Sequence, residues 1–314
     1  MRKRLLPLLL AAVLLTGCAQ APAEEEKLHI LAATYPVYLF TTALTQGIEG
    51  VEVELLVNAQ TSCLHDYTLT VKNMKAIEGA DVIILNGAGL EEFMADALAA
   101  SDAAVIDCSE GMDLLPALEH HGHEGHDHAV EQDPHYWMDP RRAAGMVRAI
   151  ADGLSALDPA HGDTYGQRYI SLYDRMGGTV QDLDMAQLML VNATGSALPL
   201  EALCSTTRFI TFHDGFQYFA HAFGLELLKA IEEEEGSTAS AAEIKEIVAL
   251  IHEYDIPAIF VEKNGSRATA EVIARETGCE IYELDMLMSG EGTGIDPYLD
   301  AMTANLNTIL EALL

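Results

Sequence analysis

Val82-Ile83-Ile84-Leu85 is an unbroken apolar run, set off by Gly79 on one side and Gly87 on the other. A strand with no polar face is covered on both sides, and such strands build parallel sheets. Working outward, His29 to Thr34, Val51 to Val57 and Ala104 to Asp107 read as further strands. Val37 to Gln46, a segment from Thr70 with Val71, Met74 and Ile77 on one face, and Leu90 to Ala100 read as helices between them. Strands alternating with helices predict an α/β layer domain.

The second half repeats this grammar. Phe209 to Phe212, Glu226 to Lys229, Ala258 to Val261 and Glu280 to Leu284 read as strands, with helices at Phe216 to Phe223, Ala241 to Glu253 and Thr269 to Glu276. A last amphipathic helix runs from about Pro297 to Leu314, with Met302, Leu306, Ile309 and Leu313 at helical spacing. Pro140 to Leu157 and Pro159 to about Met176 read as helices with no strand between them. The expected architecture is therefore α/β: two similar parallel-sheet lobes, 28–139 and 191–314, joined by a long, rigid helical link over 140–190.

The start of the chain reads as an address. Arg2, Lys3 and Arg4 precede an apolar run from Leu5 to Leu15, too short to span a bilayer as a helix and shaped like a secretory signal. Leu15-Thr16-Gly17-Cys18 is similar to the bacterial lipobox, which implies removal of residues 1–17 and lipidation of Cys18. Residues 18–27 then form a tether that holds the protein at the outer leaflet, outside the cytoplasm.

Composition narrows the partners. Of 314 residues, 49 are Asp or Glu against 17 Lys or Arg, and the formal charge of -32 excludes a nucleic-acid-binding role. Half of the chain is apolar, which excludes a disordered protein. A cation is the ligand to look for.

Four residues stand out by position, three of them where a parallel sheet places ligands. His213 follows the strand Phe209 to Phe212, His65 lies beyond the strand Val51 to Val57, and Asp285 ends the strand Glu280 to Leu284. Loops beyond the carboxyl ends of parallel strands line the ligand crevice. His135 lies in Asp133-Pro134-His135-Tyr136-Trp137-Met138-Asp139-Pro140, where Asp139 is placed to cap and Pro140 to open the next helix. Asp214 is placed to cap the helix after His213. Three neutral imidazoles and one carboxylate suit zinc in a closed tetrahedral shell, whereas manganese favours more oxygen donors.

At these residues the chain resembles a known family. Cys63-Leu64-His65-Asp66-Tyr67, Asp133 to Pro140 and Thr211-Phe212-His213-Asp214-Gly215-Phe216-Gln217-Tyr218-Phe219 look like segments of metal-binding lipoproteins of ABC importers. The match is to the zinc-specific branch of the cluster A-I solute-binding proteins, from about residue 28 onward. The resemblance implies two α/β lobes joined by one rigid helix, with the metal in the crevice between them at His65, His135, His213 and Asp285. Glu262 is the reserve for the fourth position, which water fills in some zinc members. Manganese importers of the family generally carry a carboxylate where His213 stands. The chain departs from the pattern at Cys63-Leu64, where a Pro usually precedes the first His, and over Gln187 to Glu201.

Glu119 to His128 carries His120, His121, His123, His126 and His128 among Gly and acidic residues, without apolar periodicity. It reads as a loop that collects metal, and zinc members of the family have a similar one. Imidazoles ionise near pH 6.5, so metal binding should weaken below about pH 6. Besides Cys18 there are Cys63, Cys108, Cys204 and Cys279. An extracytoplasmic location permits a disulfide, for which Cys63 with Cys108 is a candidate; three pairings are open. Cys204 and Cys279 are expected together at the opposite edge of the second lobe.

The function these residues imply is capture of Zn2+ and its delivery to an ABC permease and its ATPase, by a monomer that performs no chemistry on the metal. Three alternatives are a surface-anchored zinc hydrolase, an adhesin or zinc buffer, and the same fold importing manganese. The hydrolase lacks a Gly-x-Ser-x-Gly elbow, a P-loop and a zincin motif.

Overall fold

The computed structural model describes residues 27–58, 64, 67–118, 132–178, 184–231, 239–263 and 265–314. The signal and tether segments with Cys18, residues Cys63 and His65, and the His-rich loop 119–128 lie outside the described residues. Among the described residues no helix is long and apolar enough to cross a membrane.

The first lobe runs β1 (Leu28–Ala32), α1 (Tyr35–Thr45), β2 (Val51–Leu55), α2 (Val71–Glu78), β3 (Val82–Leu85), α3 (Ala95–Ala99) and β4 (Ala104–Asp107). Its four strands are parallel, in the order β2-β1-β3-β4. β3, the run that indicated the fold, is buried at all four residues. β2 lies at an edge, and its exposed Glu52 and Glu54 alternate with half-buried apolar residues. The helix expected over Leu90 to Ala100 is shortened to a 3-10 turn at Glu92–Met94 and then α3. The buried carboxylate of Glu91 accepts the backbone N–H groups of Asn86 and Gly87 at 2.8 and 3.0 Å, so this stretch ties down the loop after β3.

The link is helical. α4 (Pro140–Leu157) begins at Asp139, whose buried carboxylate caps the Arg141 N–H as the sequence predicts. At 18 residues it is about 27 Å long. α5 (Gly162–Arg175) packs along it. α6 (Met185–Thr194) falls in the stretch that fitted the pattern poorly; Asp184 caps it and Gly195, at φ 70°, ends it.

The second lobe runs β5 (Arg208–Thr211), α7 (Gln217–Phe223), β6 (Glu226–Ala230), α8 (Ala241–Glu253), β7 (Ala258–Glu262), α9 (Ala268–Thr277), β8 (Glu280–Leu284) and α10 (Asp296–Leu313). Its parallel sheet has the order β6-β5-β7-β8, which repeats that of the first lobe. One continuous apolar core includes Phe40 and Ile83 of the first lobe, Trp137, Ile150 of α4, and Phe209, Phe260 and Met302 of the second lobe. A smaller cluster on the other face of the second sheet holds Ile210, Val261, Ile247 and Ile273. The pleat explains the division, since consecutive strand residues point to opposite faces. A shared core joins the lobes more stiffly than a flexible hinge would.

Cys108 is a free thiol buried in the main core, and burial pushes its pKa well up. Cys204 packs against the same core, whereas Cys279 belongs to the smaller cluster. The expected proximity of Cys204 and Cys279 is therefore corrected: the sheet separates them, and both thiols are free.

Candidate metal centre

Two of the predicted imidazoles meet. His135 comes from the segment that leads out of the first lobe into α4, and His213 from the loop after β5. Both are buried, with ring centroids 5.2 Å apart and planes at 85°. With Asp214 they form a group in which one donor atom of each residue lies within 4.8 Å of the others.

Each ring is backed by a carboxylate. His135 Nδ1 lies 2.8 Å from Asp133 Oδ1, an oxygen that also accepts the His135 backbone N–H. Asp133 is fixed in turn by Gln217, whose Nε2 donates to Oδ2, and by Tyr218, whose hydroxyl donates to its carbonyl. With Nδ1 committed, Nε2 is the nitrogen His135 offers to an ion. His213 Nδ1 lies 2.9 Å from Asp214 Oδ1 and accepts the Gly215 N–H at 3.0 Å.

Close packing closes the floor. A Cβ at Gly215 would lie 2.5 Å from Met286 Sδ and 3.2 Å from His135 Cδ2, so a side chain there would displace Met286 and press on the His135 ring. Trp137 Nε1 donates to the Met286 carbonyl, and the Tyr298 hydroxyl donates to the Trp137 carbonyl. The centre is thereby locked to both the β8–α10 loop and α10.

Sequence reasoning placed Asp214 as a helix cap. The structure corrects this: α7 starts later, at Gln217, with no side-chain cap, and Asp214 turns to His213 instead. Asp133 was quoted in its motif without a role; its spacing two residues before a candidate ligand was the signal. Asp285 ends β8 as expected, but it is outside the three-residue group. Its Oδ2 pairs with Lys263 Nζ at 3.0 Å and its Oδ1 accepts the Leu287 N–H at 2.8 Å. Glu262 is buried at the end of β7 and is also outside the group. Ligation by His65 and collection by His120, His121, His123, His126 and His128 fall outside the described residues. The stem of that loop is described: Pro116 bridges to Gln132, and the Asp133 N–H donates to the Leu115 carbonyl. The loop therefore leaves and returns beside Asp133.

The fold and centre together define a two-lobed α/β protein in which two buried imidazoles and a carboxylate are grouped closely enough to hold a metal ion. The family described as zinc-uptake complex component A, periplasmic (ZnuA) matches residues 30–312, and the chain belongs to it. It is 28% identical to the zinc-binding lipoprotein AdcA of Streptococcus pneumoniae over 314 residues, 96% of this chain and 58% of that protein. It is 27% identical to the high-affinity zinc uptake system protein ZnuA of Bacillus subtilis, over 94% of this chain and 90% of that one. The laminin-binding protein Lmb of Streptococcus agalactiae, described as a bifunctional adhesin and metal transporter, superposes with a TM-score of 0.73 at 25% identity, over 91% of this chain and all of that one.

Proposed function

We propose that this chain captures zinc outside the cytoplasm and delivers it to the permease of an ABC importer, held at the membrane by lipid on Cys18. His135 and His213 supply two imidazoles and His65 the third. The metal is cargo and undergoes no chemistry. The His-rich loop gathers zinc at lower affinity, a reading supported by its described stem, where the Asp133 N–H donates to the Leu115 carbonyl. The observation that carries this reading is the pair of facing imidazoles, each with a carboxylate at Nδ1. The Asp133 carboxylate fixes the His135 tautomer and raises its basicity as a ligand. Two nitrogen donors already described, with His65 as a third, favour zinc over manganese.

Calorimetric titration of the metal-free chain tests the proposal. One tight zinc equivalent and further weaker ones are expected, with protons released. The tight equivalent weakens below about pH 6, because protons compete for the imidazoles. In a His135→Ala/His213→Ala variant only the weak class remains. Retention of the tight equivalent by that variant contradicts the proposal.

A further inference from the structure

His135 and His213 reach the centre from different lobes, so the two rings must be fixed against each other across that divide. The backbone on either side of His135 is held from the first lobe: Asn86 Nδ2 donates to the Pro134 carbonyl at 3.0 Å, and the Tyr136 hydroxyl donates to the Asn86 carbonyl. The ring itself is held by Asp133, through Nδ1 and Oδ1 at 2.8 Å. The other oxygen of this buried carboxylate takes its donor from the second lobe. Gln217 opens α7, shortly after His213, and its Nε2 donates to Asp133 Oδ2 at 3.0 Å. The second hydrogen of the same nitrogen goes to the Pro116 carbonyl at 2.9 Å. A carboxylate and a carbonyl only accept, so the amide nitrogen and not its oxygen must face them. The next residue, Tyr218, grips the same limbs by their backbone: its hydroxyl donates to the Asp133 carbonyl and accepts the Leu115 N–H at 2.7 Å.

We infer that Gln217 is a positioning residue of the metal centre: through Asp133 it fixes the His135 ring against His213, so that a side chain of the second lobe sets the geometry in which the two imidazoles meet an ion. The inference rests on the zinc-capture reading above and adds to it a residue that does not touch the metal. Asp133 Oδ2 has no other donor among the described residues, and a buried carboxylate oxygen without a donor is costly. Without Gln217 the carboxylate turns to find one and loosens its contact with His135 Nδ1, which sets the tautomer and orientation of the ring. Tyr218 and Asn86 keep the backbone in place meanwhile, so the ring moves and the fold stays.

A mutant cycle on the full chain, read by competition of zinc with a chelator, tests this. Gln217→Ala should lower zinc affinity about tenfold, the lower end of what an outer-layer partner contributes. Asp133→Ala should lower it by at least as much. Because Gln217 acts through Asp133, adding Gln217→Ala to Asp133→Ala should cost nothing further. Fully additive losses overturn the inference, as does unchanged affinity in Gln217→Ala. Nitrogen-15 NMR of the histidine rings in the metal-free chain gives a second reading that needs no Asp133 variant. The His135 Nδ1–H signal should shift or broaden in Gln217→Ala while the His213 ring signals hold, and an unchanged His135 signal overturns the inference. If the unsubstituted chain binds no zinc, the functional reading falls, and the metal-free spectra still decide whether Gln217 positions the ring. If it binds zinc and Gln217→Ala changes neither affinity nor spectrum, only the inference falls.

Discussion

The two lobes share a strand order, but their strand ends are used differently. In the second lobe, His213 and Asp214 follow β5, Lys263 follows β7 and Asp285 follows β8, so the strand ends are charged or metal-seeking. At the corresponding ends of the first lobe, the buried hydroxyl of Thr34 follows β1, Asn86 follows β3 and the buried thiol of Cys108 follows β4. Asn86 spends its amide on the Gly87 and Pro134 carbonyls, and the Tyr136 hydroxyl donates to the Asn86 carbonyl. That network holds Pro134 and Tyr136, the residues flanking His135. Among the described strand ends, one lobe thus presents His213 directly, and the other positions the segment that carries His135. The lesson is that equivalent topology fixes where loops emerge and leaves their chemistry to individual side chains.

The comparison is broken most severely at Trp137, which is fully buried in the core the lobes share. Trp137→Ala should cost about 4 kcal/mol of unfolding free energy and separate the two lobes into distinct transitions. Denaturant unfolding followed by circular dichroism, with and without zinc, measures both effects. A single transition with unchanged midpoint would mean the lobes do not depend on that core.

Next in size is the polar network of the first lobe. The Glu91 carboxyl is pushed up to about 7 from 4.5, first by burial and then by the nearby Asp107 charge. The folded chain therefore keeps a proton that the unfolded chain has already released. This stabilisation is complete below about pH 4.5 and is lost as pH rises through about 7. Its full size is of order 3 kcal/mol. Glu91→Gln should flatten stability against pH between those limits, whatever its absolute stability. Unfolding midpoints at pH 5 and pH 8 give the slope, and equal slopes in variant and parent would contradict the assignment.

The smallest test compares helices at equivalent places in the two lobes. α2 and α8 each follow the edge strand and each open with a reciprocal capping box, Thr70 with Asn73 and Ser240 with Glu243. The first is partly buried and its Asn73 also donates to the Leu56 carbonyl, whereas the second is exposed. Thr70→Ala should cost about 1 kcal/mol and Ser240→Ala about 0.5 kcal/mol. Thermal melts of the two variants measure the difference, and the reverse order would show that burial does not set the value of these caps.

Much of this was legible in the residues. The unbroken apolar strands fixed a parallel sheet, and the repeated alternation fixed two lobes, because both signals follow from burial on two faces. His135 and His213 were legible from position. α6 was not, since apolar residues at Leu188 and Val191 blur its buried stripe of Met185, Ala186, Met189 and Leu190. The shortened α3 was missed because nothing in the pattern of Leu90 to Ala100 shows that the Glu91 carboxylate holds the loop after β3. Asp285 was placed correctly at the end of β8, and its pairing with Lys263 was not foreseen. Side-by-side exit with Lys263 depends on strand register, which the pattern of one strand does not encode.

X-ray absorption at the zinc edge of the singly loaded chain tests the central claim most directly. The account predicts three imidazole nitrogens at about 2.0 Å and one further light donor, with one imidazole lost in His213→Ala. A shell of oxygen donors, or a spectrum unchanged by that substitution, would contradict it.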